Sequence, residues 1–539
     1  MSRVHLDALE DLDSTLDQLD ADGIVDRLWT KDHTLWRPDP TEISDRLGWL
    51  DLVRDAPDGD PEIIEFVDDV RAAGLTDAVL LGMGGSSLGA EALRTSFGSQ
   101  DGYLNLHVLD STHPRWVESI RGAIDPAKTL FLVASKSGTT AEVRAFLDYF
   151  WAETQDAVGA DHAGAHFAAI TDPGTALVDL AEARGFRKVF VNPPDIGGRF
   201  SVLSRFGLVS AALLGIDIQR LMANAYGLGK ACGPGTAAAE NPGVWLGAVL
   251  GCAARAGRDQ LTLYTSPQID CFGLWAEQLI AESTGKEGKG ILPVTGEPLA
   301  EVERYGDHRL FVALRLADDS APELDAHLER LVAAGQPVLT YDLPDVYALG
   351  GELFRWQLAT AVAGHLLDIQ PFDQPNVQSA KSETTQLLTA WRDTGALPVV
   401  DAPGDLAGAI RQERPDFVVL MAYAREDEAF EEAVQGLRRQ LIDAGITNTF
   451  GYGPRFLHST GQLHKGGQDG GLFVQLMVDA DADLAIAGRD DGFGVLLRAQ
   501  AAGDLAALQN NGRRCVRIDL GTHPVPGLEA LRIPTEASG

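Results

Sequence analysis

Two segments rich in glycine and hydroxyls are the first in the chain whose residue types and spacing could do chemistry. After the apolar run Asp77–Leu81 the sequence reads GMGGSSLGAEAL, a turn of small residues that opens a helix from Leu88. Small residues let backbone N–H groups close on an anion, and a helix start adds a favourable dipole. Gly85 and Ser86 stand where such a loop would touch a phosphate. The loop also admits a dinucleotide, because Gly82 and Gly84 begin a G-x-G pattern and Asp110 ends a later strand where a ribose ligand is expected; a tight turn without ligand is the third reading. The adjacent hydroxyls Ser86 and Ser87 weigh toward a terminal phosphate. The second segment, SKSGTT at 135–140, follows the apolar run Thr129–Ala134 and precedes an amphipathic stretch. Ser135, Ser137, Thr139 and Thr140 are four neutral donors in six residues, with Lys136 among them. Helix capping alone would account for one of them.

GMGGSSLGA followed by ASKSGTTAE is similar to the sugar isomerase (SIS) domain that binds phosphosugars. Three later segments, IGGRFSVLSRFGL (196–208), WAEQLIAESTGKEGKGILP (275–293) and PFDQPNVQSAK (371–381), resemble signature stretches of the glucose-6-phosphate isomerase family. The resemblance implies reversible aldose–ketose isomerisation of glucose 6-phosphate and fructose 6-phosphate through a cis-enediolate, with no cofactor because the redox change is internal to the sugar. Such chemistry needs a base that carries a proton between C2 and C1, a donor or cation for the developing charge, and an acid/base for ring opening. By resemblance Glu282 is the base, Arg199 stabilises the enediolate, Lys381 assists ring opening and Gln374 hydrogen-bonds the substrate. Gln278, four residues before Glu282, shares its helix face. Two other outcomes stay open: turnover of mannose 6-phosphate or another phosphosugar, and a non-catalytic sugar-phosphate sensor, which would need no base.

The family places a histidine between the Glu and Lys motifs. That interval holds His308 (YGDHRLF), His327 (LDAHLERL, expected on a surface helix) and His365 (TAVAGHLLDI), none in a matching setting. A match comes after the Lys motif, in GPRFLHSTGQLHKGG (453–467), where His458 is followed by Gln462 and Gly467. By resemblance His458 joins Lys381 in ring opening, with His464 as second candidate. The pair HRLFVALRL (308–316) and GGLFVQLMV (470–478) hints at a partial internal duplication that would explain the displaced histidine. A metal is not expected, because the spacing of His458 and His464 puts them on different helix faces and no Cys or carboxylate set accompanies them. The resemblance further implies a homodimer whose active site is shared between subunits.

These side chains must be positioned by an α/β framework. The expected organisation is a helical N-terminal segment (1–60), a first SIS domain (61–232), a second (243–395) after the Gly/Pro-rich stretch Gly233–Pro242, and a C-terminal α/β extension (396–539) carrying the His458 motif. Each SIS domain is expected to be doubly wound on a mainly parallel sheet, with strands at 77–81, 104–109, 129–134, 167–171 and 188–191, then 260–264, 309–316 and 337–341. The extension offers strands at 416–421, 473–478 and 514–519. The chain has 539 residues and a net charge of −34, which disfavours any general nucleic-acid face and leaves a small phosphosugar as the expected partner. No apolar run has membrane-spanning length, the acidic start lacks a signal-like apolar region, and four irregularly spaced Cys fit a reducing compartment. A cytoplasmic location is expected.

Overall fold

The computed structural model describes residues 3–57 and 59–534. Three sheets organise it. The first has the spatial order Asn105–Leu109, Asp77–Leu81, Thr129–Ala134, Phe167–Thr171, Lys188–Val191, all parallel. Its central strand is buried along its whole length. Alternation divides that strand between two cores: Leu130, Leu132 and Ala134 face one, Phe131 and Val133 the other. The second sheet runs Arg3–His5, Val338–Leu343, Arg309–Leu316, Gln260–Thr265, Leu292–Thr295, and the third Thr447–Tyr452, Phe417–Tyr423, Gly471–Met477, Arg514–Asp519. All pairings are parallel except that of Arg3–His5, which runs antiparallel to Val338–Leu343.

Three strands depart from the expected organisation. The N-terminal segment is not helical throughout, because Arg3–His5 pairs on the free edge of the second sheet, where unpaired backbone groups offer a template. Leu292–Thr295 and Thr447–Tyr452 are strands that the apolar pattern does not announce. Both are edge strands; one contains Pro293 and the other reads TNTFGY, compositions an edge tolerates and a central strand does not.

The core between the first and second sheets also takes in the N-terminal helices through Leu16, Leu28 and Trp49. The opposite face of the first sheet shares a core with Val418, Leu420 and Val474 of the third. Phe146 and Phe493 meet there at 5.9 Å, and Trp116 and Tyr452 at 5.6 Å. The other face of the third sheet (Phe417, Val419, Met421) packs with Ala281, Leu292 and Val294. The C-terminal block is therefore wedged against both preceding ones. No helix among the described residues is long and apolar enough to cross a membrane.

His113 lies in this wedge, fully buried, with Nε2 3.3 Å from the carbonyl of Val478. Burial pushes its pKa down to about 4. Its folded value lies below its unfolded one, so the unfolded chain binds the extra proton first and stability is lost as pH falls from 6.5 toward 4. Urea midpoints measured across that window should drop, and His113→Gln should remove on the order of 2–3 kcal/mol of the pH-dependent loss.

Candidate active site

The loop after Leu81 fits where only glycine can. Gly84 has φ +55°, and a Cβ there would lie 2.5 Å from the carbonyl oxygen of His458 and 3.0 Å from Gln278 Nε2. A Cβ on Gly85 would lie 2.1 Å from the carbonyl of Gly198. Three distant segments thus converge on this turn, at the C-terminal end of a central strand where doubly wound sheets place ligands. Gln278, on the helix Phe272–Thr284, ties them together: its Nε2 donates to Glu282 Oε2 at 2.9 Å and to the carbonyl of His458 at 2.8 Å.

Arg199 is buried and every arm of its guanidinium is engaged. Nη1 lies 3.1 Å from Glu282 Oε1 and 3.4 Å from Gln374 Oε1. Nη2 donates to the carbonyls of Pro371 at 2.6 Å and Asp373 at 2.9 Å, and Nε to Ser283 Oγ at 2.8 Å. Burial lowers its pKa from the ordinary value, while Glu282 and Asp373 oppose that shift; a guanidinium stays charged regardless. Lys286 grips the same turn, donating to Gln370 O, Asp373 O and Asp373 Oδ1, each at 2.6 Å. Burial, with Arg199 beside it, brings its ammonium down to about 7.

His458 faces the opposite wall, where its Nε2 is 2.9 Å from Glu142 Oε1. The same oxygen accepts from Gln500 Nε2 at 2.6 Å. Burial pushes Glu142 upward, but His458 and, more weakly, Lys381 outweigh it and leave the carboxyl below its ordinary value. Lys381 is exposed on the helix Val377–Thr394, whose Leu387 packs with Ala499 and Ala502 of the C-terminal block. Gln462 locks that helix start to the rest of the site: Nε2 donates to Gly285 O at 2.9 Å and to Asn376 Oδ1 at 2.8 Å, and Oε1 accepts from Asn376 N.

The hydroxyl run forms its own small network. Ser135 pairs with Thr140 and Ser137 with Thr139, each at 3.0 Å, with Ser137 and Thr139 exposed. Ser86 is half-buried in the facing loop. The Lys136 ammonium is committed to Asp172 and to the carbonyl of Pro194. Asp110, the would-be ribose ligand, is fully buried in a bidentate pair with Arg455, 2.9 Å on each arm, and also accepts from Ser87. That carboxylate has no face left for a ribose, so the dinucleotide reading falls away.

The other histidines lie elsewhere. His327 is not on a surface helix face but fully buried, its Nε2 3.4 Å from Tyr264 OH, because it shares the inner face of its helix with Leu324, Leu328 and Leu331. His308 contacts Gly257 O and His365 contacts Leu35 O. His464 is buried between Phe456 and Phe473. Sequence reasoning missed Glu142 and Lys286. Each sits within a quoted motif, ASKSGTTAE and STGKEGKG, and a charged residue inside a run of small ones was the available signal.

Residues 65–287 match the profile of the phosphoglucose isomerase family. A glucose-6-phosphate isomerase of Thermus thermophilus is 31% identical over 390 residues, which cover 64% of this chain and 91% of the relative. The chain belongs to the phosphoglucose isomerase family. The glucose-6-phosphate isomerase of Parabacteroides distasonis is 29% identical over 392 residues, covering 64% of this chain and 87% of the relative. Among solved structures, a hypothetical protein from Thermus thermophilus superposes with TM-score 0.59 at 26% identity, over 73% of this chain and all of that one. A glucose-6-phosphate isomerase from Chlamydia trachomatis shares the fold with TM-score 0.58 at 19% identity, over 72% of this chain and 86% of its own. Arg199 and Glu282 lie within the matched residues, whereas Lys381 and His458 lie beyond them.

The carboxylate of Glu142 orients the His458 ring. Glu142→Gln should keep the fold and the KM for substrate but lower kcat by about 10–100-fold, read from steady-state kinetics beside a circular dichroism spectrum.

Proposed function

We propose that the protein interconverts glucose 6-phosphate and fructose 6-phosphate. The observation that carries this reading is the buried pair of Arg199 and Glu282, 3.1 Å apart, with Gln278 on the second carboxylate oxygen. A carboxylate held by two donors at the mouth of a phosphate-binding loop is suited to abstract a proton next to a carbonyl. A guanidinium beside it meets the negative charge that abstraction creates.

In this reading the phosphate rests on the hydroxyls of Ser86, Ser135, Ser137, Thr139 and Thr140 and on the Gly85 backbone, with Lys136 fixing the loop through Asp172. His458 and Lys381 open the ring by moving a proton between the ring oxygen and the C1 hydroxyl. Glu282 takes the proton from C2 and returns it to C1, the hydroxyl proton passes from O2 to O1, and Arg199 holds the enediolate oxygens meanwhile. Gln374 contacts a sugar hydroxyl. Gln278 Oε1, buried without a protein donor, is placed to accept from another. Electrons stay within the sugar, so the reaction calls for no cofactor. The homodimer that the resemblance implies is compatible with this proposal. A cytoplasmic site of action accords with the four cysteines, all unpaired in the structure.

A coupled dehydrogenase assay on fructose 6-phosphate tests the reading. Wild type should turn over, and Glu282→Gln should lose on the order of 10³-fold in kcat with little change in KM. Near-normal turnover by that variant would remove Glu282 from the chemistry. Turnover of mannose 6-phosphate but not of fructose 6-phosphate would redirect the substrate assignment.

A further inference from the structure

The second and third sheets share one topology. In the second, the strands Gln260–Thr265, Leu292–Thr295, Arg309–Leu316 and Val338–Leu343 stand in the order fourth, third, first, second. In the third, Phe417–Tyr423, Thr447–Tyr452, Gly471–Met477 and Arg514–Asp519 stand in that same order, again all parallel. The similar sequences HRLFVALRL and GGLFVQLMV fall on the same strand of each. A helix joins the first and second strands in both, Phe272–Thr284 in one and Glu428–Asp443 in the other. The connection from the second strand to the third differs in what it carries: in the C-terminal block it holds His458 and Gln462, and in the earlier block, residues 296–308, it holds neither.

The two blocks also pack reciprocally. Arg438, on the joining helix of the later block, donates to the carbonyls of Thr295 and Gly296 at the end of the second strand of the earlier one. Gln278, on the joining helix of the earlier block, donates to the carbonyl of His458 in the connection that follows the second strand of the later one. In each direction the joining helix of one block donates to backbone carbonyls at or beyond the second strand of the other, an arrangement akin to that of an isologous pair of subunits. Here both halves belong to one chain.

We infer that the C-terminal block is a built-in partner: a second copy of the preceding block that delivers His458 to the Glu282 site of its own chain. This rests on the isomerase reading of that site. The later block ends its joining helix in RRQLIDAG, without counterparts of Glu282 or Lys286, so the chain has one site and not two. Any association of two chains then leaves the sites independent.

Co-expression of Glu282→Gln under one affinity tag and His458→Asn under another, followed by tandem purification, decides it. Each single variant should be inactive on fructose 6-phosphate and folded by circular dichroism. Mixed assemblies, if captured, should stay inactive; failure to capture any also supports a site within one chain. A captured pair with about half of wild-type turnover would overturn the inference, because a site shared between chains leaves one intact per pair. Full activity of both His458→Asn and His458→Gln would overturn it by showing that the block delivers nothing. An inactive wild type would instead sink the isomerase reading.

Discussion

A permanently charged guanidinium with almost no water around it sets the terms for the whole site. Burying Arg199 is costly unless its donors are met and its charge is balanced. Nε, Nη1 and Nη2 find a serine, a carboxylate, a glutamine and two carbonyls, contributed by the helix Phe272–Thr284 and the turn 371–374. That turn must hold its carbonyls in place, and Lys286 holds it from the other side with Asp373 between the two cations. The segments carrying Glu282, the amide Gln374 and the approach to Lys381 are therefore fixed relative to one another by one electrostatic requirement.

Acidity and phosphate binding are reconciled by distance. A chain of net charge −34 repels anions at long range, but screening limits that field to about 8 Å at physiological salt. At contact range the loops proposed to hold the phosphate are made of hydroxyls and backbone N–H groups, which need no counter-charge. The Lys136 ammonium is spent on Asp172 and Pro194, so the donors these loops present are mainly neutral.

What the sequence made legible divides along physical lines. Central strands such as Thr129–Ala134 are buried on both faces and read as unbroken apolar runs. The glycine loops are legible for a steric reason: backbone approaches of 2.1 to 2.5 Å to an added Cβ leave no other residue possible. The edge strands Leu292–Thr295 and Thr447–Tyr452 were not legible, since half-paired strands need no continuous apolar pattern. Glu142 could not be paired with His458 from spacing, because the two are 316 positions apart and meet only through the packing of the C-terminal block on the first sheet. His327 was misplaced for the converse reason: LDAHLERL looks solvated by composition, yet its inner face is defined by three leucines with which the ring is in register.

The connection that carries no histidine has a different use. Glu297, within 296–308, is buried and paired with Arg309 at 2.9 Å; its other oxygen accepts from the backbone N–H of Asn448 at 3.0 Å. Thr447 Oγ1 donates to Gln260 beside it at 2.6 Å, and Arg438 donates to Asn448 Oδ1 at 2.9 Å. A buried polar network of this kind adds little net stability over an apolar interface, but a misregistered alternative would leave its charges unpaired. It therefore fixes how the two similar blocks dock. Register matters here more than strength, because the His458 carbonyl must reach Gln278 while the His458 ring reaches Glu142. In this chain the earlier connection has become the clamp that keeps the later one in the site.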